Sequence, residues 1–137
     1  MITEDNEGIC DISLCDCNVC DHSSNTVFTD EAYKQLIEYL DGIRKTFDIK
    51  LSLKGTEFQK AVWNQLCDIP YGETRSYSDI AIAIDNPKAS RAVGMACNKN
   101  PVMIVVPCHR VIGKNKSLTG YALGIDIKKQ LLDLEKE

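Results

Sequence analysis

The sequence contains no apolar run approaching the roughly 18 residues that a membrane span requires, so no membrane partner is expected. Its first residues, Met1 to Gly8, are acidic and lack the apolar stretch of a secretory leader, which points to an intracellular protein. At 137 residues it is too short for two full domains and supports one modest core. It also lacks overall positive charge. Taken as an average, the formal net of -4 speaks weakly against a nucleic-acid partner. Histidine is scarce, with two in the chain.

Cysteine is abundant. Seven cysteines without a secretory leader read as thiols or metal ligands rather than a disulfide framework. Cys10, Cys15, Cys17 and Cys20 crowd the N-terminus, while Cys67, Cys97 and Cys108 are scattered. Cys10, Cys15, Cys17, Cys20 and His22 are the right ligand types for zinc. Their spacing fits no standard finger, and all of them lie on one short segment. Residues 1–27 are therefore expected to form a loose, Cys-rich, acidic arm, with a structural zinc as the alternative.

The average charge hides an asymmetry. Residues 1–53 hold 4 Lys/Arg against 11 Asp/Glu, whereas residues 74–116 hold 7 against 2. Local charge governs phosphate binding, because screening limits its reach to about 8 Å at physiological salt. A basic surface is thus expected in the second half.

Hydrophobic spacing predicts the elements. Tyr33, Leu36, Ile37 and Leu40 give a helix over 29–41 one apolar face, and Phe47, Ile49, Leu51 and Leu53 alternate as a strand. Thr56-Glu57-Phe58-Gln59 is a capping-box pattern, opening a helix whose inner face is Phe58, Ala61, Val62 and Leu66. Ile69-Pro70-Tyr71-Gly72 breaks it. Ser76 caps a short helix carrying Ile80, Ala81 and Ile84 inward, and Asn86-Pro87 is expected to start another. This pair reads as a helix-turn-helix whose second helix holds Arg91. On that helix Ser90, Gly94 and Cys97, with Ala92 nearby, form a stripe of small residues suited either to tight helix packing or to a DNA groove. Val102 to Val106 suggests a buried extended run. Residues 113–120 read as a polar loop. A last helix from Ile125 turns Ile127, Leu131 and Leu134 inward, with Glu135 at the edge of that apolar face. A carboxylate there is either at an exposed helix end or has a buried partner.

Cys108 follows a rigid proline at the end of the buried run and precedes His109, the one histidine outside the N-terminal arm. A cysteine becomes a nucleophile where its surroundings stabilise the thiolate. A lone Cys-His pair is weak grounds for that. The frame is larger, however. Asn100-Pro101, the apolar run, Pro107-Cys108-His109-Arg110-Val111 and Leu118-Thr119-Gly120-Tyr121 form one ordered signature. With Arg91-Ala92-Val93-Gly94, Tyr77-Ser78-Asp79-Ile80-Ala81, Ile69-Pro70-Tyr71-Gly72-Glu73-Thr74, Gly55-Thr56-Glu57-Phe58-Gln59 and Leu131-Leu132-Asp133-Leu134-Glu135, it strongly resembles the O6-alkylguanine-DNA alkyltransferases over roughly residues 28–137.

The resemblance implies a mainly α fold with a small β component, built around a winged-helix-like helix-turn-helix alkyltransferase domain. Residues 54–137 would form the DNA-binding and alkyl-acceptor domain. Residues 28–53 would be a remnant, one helix and one strand, of the family's larger N-terminal domain. Cys108 would accept the alkyl group of O6-alkylguanine, and O4-alkylthymine would be a second substrate. His109 would act as base through a water, Glu135 would orient it, and Asn100 would brace the turn. Tyr77 would press on a phosphate, and Arg91 would fill the gap left by the flipped base. Ser90, Ala92, Gly94 and Cys97 would line the groove-facing surface, while Met103, Val111, Tyr121, Ala122 and Leu123 would form the base pocket.

The resemblance also implies a monomer that acts once on double-stranded DNA containing alkylated bases, with no cofactor required. It would work in the nucleus of a eukaryote or the cytoplasm of a prokaryote. Leu123 departs from the family's small-residue pattern and is expected to disfavour bulky O6 groups such as benzyl. A non-enzymatic sensor of alkylated DNA and a cysteine hydrolase are the competing readings.

Overall fold

The computed structural model describes residues 2–5, 7–12, 27–113, 121 and 124–136. They fall into two compact units. One comprises Met1–Lys54 with Pro101–Met103, and the other comprises Gly55–Asn100 with Ile104–Glu137.

The first unit opens on a hairpin. Strand β1 (Ile2–Asp5) pairs antiparallel with β2 (Gly8–Ile12). Asp5 sets the turn, since its Oδ1 accepts from the Glu7 and Gly8 amides at 2.7 and 3.1 Å. Its Oδ2 accepts from the Ser52 hydroxyl at 2.6 Å and pairs with Lys54 at 3.0 Å. Gly8 has φ +153°, and a Cβ there would lie 2.5 Å from the Lys50 carbonyl oxygen, so no other residue fits. Residues 2–5 and 7–12 are thus built into the unit, which corrects the expectation of a loose arm for them. Their apolar members, Ile9 and Ile12, are buried. The strand expected over 47–53 shrinks to a single parallel bridge, Leu51 to Ile9, and β2 bridges Val102 through Ile12 instead of continuing that ladder.

Helix α1 (Val27–Leu40) packs on the hairpin. It buries Ala32, Gln35, Leu36 and Tyr39, while Tyr33, Ile37 and Leu40 are exposed. The expected apolar face is therefore wrong except at Leu36. Gln35 explains the rotation. Its side-chain amide donates to the Asp48 carbonyl at 3.1 Å and accepts from the Asp48 amide at 2.8 Å, as a neighbouring strand would.

In the second unit, α2 (Glu57–Cys67) begins with the expected capping box between Thr56 and Gln59. It buries Val62, Trp63 and Leu66, leaving Ala61 exposed and Phe58 half-buried. Trp63 replaces them on the inner face, and its indole N–H donates to the Ala96 carbonyl at 2.9 Å. A two-residue strand, β3 (Arg75–Ser76), leads into α3 (Tyr77–Ala83), capped by Ser76 with Asp79. Helix α4 (Ser90–Asn98) starts three residues later than Asn86-Pro87 implied, because the Asn86 carbonyl accepts from the Ala89 amide in a separate turn.

The run after Asn100 is not extended throughout. Ile104 takes φ +74° and turns the chain between the buried Met103 and Val106. A 3-10 turn (Cys108–Arg110) and β4 (Val111–Ile112) follow, with β4 parallel to β3. Helix α5 (Ile125–Glu135) closes the unit. Its buried residues are Lys128, Leu131 and Glu135, while Ile127 and Leu134 are only half-buried. The fold is mainly α with a small β component, as expected.

Candidate active site and nucleic-acid interface

The site is organised by one turn. Pro107 has φ -83° and ψ 62°, and the Cys108 amide donates to the Val106 carbonyl at 2.8 Å. That is an inverse γ-turn, which proline's fixed φ favours. The 3-10 turn then continues, with the Arg110 amide donating to the Pro107 carbonyl at 3.0 Å. The result carries Cys108, His109 and Arg110 inward together, and all three are buried.

Asn100, at the end of α4, braces the turn. Its Nδ2 donates to the Val106 carbonyl at 2.8 Å and to the Cys108 sulfur at 3.3 Å. From α5, Glu135 holds two cations or potential cations at once. Its Oε2 lies 2.6 Å from His109 Nε2, and its Oε1 accepts from Arg110 Nε at 2.5 Å. Arg110 also donates to the Ile69 carbonyl at 2.7 Å and lies against the Tyr71 ring. Tyr71 in turn donates to the Leu134 carbonyl at 3.3 Å. The odd position of Glu135 is thereby explained, since it has buried partners.

Burial alone would raise the Glu135 carboxyl. The hydrogen bonds from His109 and Arg110, together with the Arg110 charge, outweigh it and hold the group down to about 2. Burial lowers His109 in spite of Glu135, so the imidazole is neutral at pH 7. An ionised Glu135 at Nε2 makes that nitrogen the N–H donor and leaves the basic lone pair on Nδ1. Burial also pushes the Cys108 thiol up, against the Asn100 amide and the Lys128 charge. At rest the site is therefore a buried thiol beside a neutral, oriented imidazole, not a preformed ion pair. Such a set can pass a proton from sulfur to His109 and leave a sulfur nucleophile supported by an amide donor.

Two residues of the site were missed by sequence reasoning. Arg110 was in the signature but was given no role. Lys128 is fully buried, and its ammonium donates to the Val111 carbonyl at 2.6 Å. Tyr121 keeps a buried hydroxyl with no hydrogen-bond partner among the described residues. Met103 is buried and belongs to the other unit, where its amide donates to the Ile12 carbonyl. Ala122 and Leu123 lie outside the described residues, as do Cys15, Cys17, Cys20 and His22. Cys10 is half-buried, with its thiol 3.6 Å from the Thr3 carbonyl.

On α4, Arg91 and Met95 are exposed, and Ala92 is half-buried. The small-residue stripe is turned toward α3. Ser90 Oγ is 3.3 Å from Ser78 Oγ, Gly94 lies beside the Tyr77 ring, and Cys97 is buried with its thiol pushed up to about 12, by burial first. Ser90 and Gly94 thus pack against α3, and the burial of Cys97 corrects its groove-lining reading. The same packing places Tyr77, the first residue of α3, beside α4 with Lys128 Nζ 6.0 Å from its ring centre.

A short helical pair with an exposed arginine, set beside a buried and oriented thiol, describes a DNA-binding protein with a nucleophilic cysteine. Known proteins agree. Residues 57–137 match the family model of the 6-O-methylguanine DNA methyltransferase DNA-binding domain, and residues 1–53 match that of the ribonuclease-like domain of the same proteins. A methylated-DNA–protein-cysteine methyltransferase of Methanosarcina acetivorans is 63% identical over 111 residues, covering 81% of this chain and 71% of that protein. Among solved structures, an O6-methylguanine methyltransferase variant of Mycobacterium tuberculosis superposes with a TM-score of 0.79 at 39% identity, over 99% of this chain and 91% of that one. The mycobacterial protein in complex with DNA gives 0.76 at 55% identity, over 77% and 65%. The chain belongs to the O6-methylguanine DNA methyltransferase family.

Proposed function

We propose that this protein repairs alkylated DNA directly, moving an alkyl group from O6-alkylguanine to Cys108 in a single turnover. The observation that carries the reading is the buried set Asn100–Cys108 and His109–Glu135–Arg110, brought together by one turn, the end of α4 and helix α5. The thiol proton passes through a water to His109. The sulfur lone pair attacks the alkyl carbon, the carbon–O6 bond breaks, and its electron pair stays on the base, which takes up a proton to become guanine. Thiol plus alkylguanine gives thioether plus guanine, so no cofactor is required. The thioether is stable, and the protein is consumed.

The partner is double-stranded DNA with an alkylated base flipped into the site. Arg91 fills the vacated stack, Tyr77 meets the neighbouring phosphate, and the Tyr121 hydroxyl and Val111 carbonyl contact the base. O4-alkylthymine is a second substrate. The protein acts as a monomer inside the cell. Incubation with a duplex containing O6-methylguanine, followed by intact-mass measurement, tests the reading. The expected result is a gain of one methyl group on the Cys108 peptide, abolished in Cys108→Ala. Binding without a mass change, or a methyl group on Cys10 or Cys67, overturns it.

A further inference from the structure

We propose that the outer face of α1 is a self-association surface, on which a second copy of this chain docks its own α1 in the antiparallel direction. Tyr33, Ile37 and Leu40 recur at helical spacing along α1, and Ile43 follows just beyond its end. All four are between 40% and 73% exposed. Hydrophobic spacing marks this as the buried face, yet the helix turns it outward, because Ala32, Gln35, Leu36 and Tyr39 are the residues it buries. Single exposed apolar residues are ordinary, but four on one stripe with a charged rim mark an interaction surface.

The rim says what covers the stripe. At about 100° per residue, Asp30, Lys34 and Asp41 fall along one edge of it, and all three are exposed. The other edge is the buried Leu36, which faces the body of its own unit. In an antiparallel pair of helices, each edge meets the same edge of the other helix. Tyr33 and Lys34 lie four and three residues before Ile37, while Leu40 and Asp41 lie three and four after it. A twofold axis beside Ile37 therefore sets Tyr33 against the second copy's Leu40 and Lys34 against the second copy's Asp41, once at each end. A parallel pair would set the charged edge against the packed one and gain no such match. Glu38, further round the helix, is held by Arg44 of its own chain at 3.1 Å and does not oppose the pairing. One 14-residue helix on another is a small interface, below the roughly 1,200 Å² of stable complexes, so the pair is weak and reversible. Alkyl transfer needs one copy, so the pair belongs to the concentrated, DNA-free protein and not to the repair step.

Sedimentation equilibrium of the full chain, under reducing conditions and without DNA, tests the pairing over a hundredfold range of concentration. The average mass of the wild type should climb from one copy toward two. Ile37→Glu, at an exposed position, should stay at one copy while its melting temperature and methyl transfer remain close to wild type. Lys34→Glu and Asp41→Lys should each weaken pairing about tenfold, since each sets like charges opposite one another at both ends. Mixed in equal amounts, these two variants should pair again, and so should the double variant carrying both changes. A wild type that stays single at every concentration overturns the proposal and leaves the stripe to a different protein. Pairing that survives Ile37→Glu overturns it as well. If neither the mixture nor the double variant recovers, the antiparallel arrangement is wrong and the proposal falls with it.

Discussion

Replacing Glu135 by Gln removes one negative charge and almost no volume. In the folded chain that carboxylate is buried between His109 at 2.6 Å and Arg110 at 2.5 Å. Holding it down to about 2, from a usual 4.5, corresponds to about 3 kcal/mol of preference for the ionised form, at roughly 1.4 kcal/mol per unit. Removing one partner of a buried ion pair costs about 3–5 kcal/mol by an independent route, because the other charge is stranded. Both routes place the loss for Glu135→Gln near 3 kcal/mol, or roughly 10 °C in melting temperature for a chain of this size. Urea and thermal unfolding at pH 7 measure it.

The pH dependence gives a second reading of the same charge. The folded value lies below the unfolded one. The stabilisation is therefore fully present above about pH 4.5 and is lost as pH falls toward 2. The gap between wild type and Glu135→Gln should close across that window. Asp5 is also depressed, by Ser52, the Glu7 amide and Lys54, but it titrates in both proteins and cancels in the difference. A loss under about 1 kcal/mol at pH 7, or a gap that does not narrow in acid, refutes the reasoning.

Adding Arg110→Met to Glu135→Gln removes the stranded cation, so the double variant should recover at least about 1 kcal/mol over Glu135→Gln alone in urea unfolding. Asn100→Ala strips the Val106 carbonyl and Cys108 sulfur of a buried donor and should cost about 1–3 kcal/mol, with slower methyl transfer per folded molecule in single-turnover kinetics. Arg91→Ala changes an exposed side chain, so duplex affinity should fall while stability stays within about 0.5 kcal/mol of wild type, read by fluorescence anisotropy and melting. Leu123→Gly should speed inactivation by O6-benzylguanine, and equal rates for wild type and variant would discount Leu123 as a size filter.

Much of the fold was legible where local chemistry decides it. The Thr56–Gln59 capping box, the Ser76 cap and the break after Ile69 depend on neighbours in sequence, and all three are present. The hairpin was not legible. Its strands are short and charged, and the Asp5 turn depends on Ser52 and Lys54, about fifty residues away. The face of α1 was misjudged for a related reason. Three of its exposed positions are the large apolar residues Tyr33, Ile37 and Leu40, while the polar Gln35 is buried because it completes a backbone pairing at Asp48.

The site shows the same division more sharply. Apolar periodicity assigns the inner face of α5 to Ile127, Leu131 and Leu134, but the buried residues are Lys128, Leu131 and Glu135. Two of these three carry charge, so a rule that turns polar residues outward fails on the helix that serves the chemistry. Glu135 could still be found, because it falls beside an apolar stripe and needs a partner. Lys128 gave no such signal, since its long stem suits a helix surface as well as an interior. It becomes predictable only from Glu135. Seven residues of α-helix complete nearly two turns and return to within about 20° of the starting direction. Once Glu135 is placed against the Cys108 turn, the residue seven positions before it must face the same turn, and that residue is Lys128.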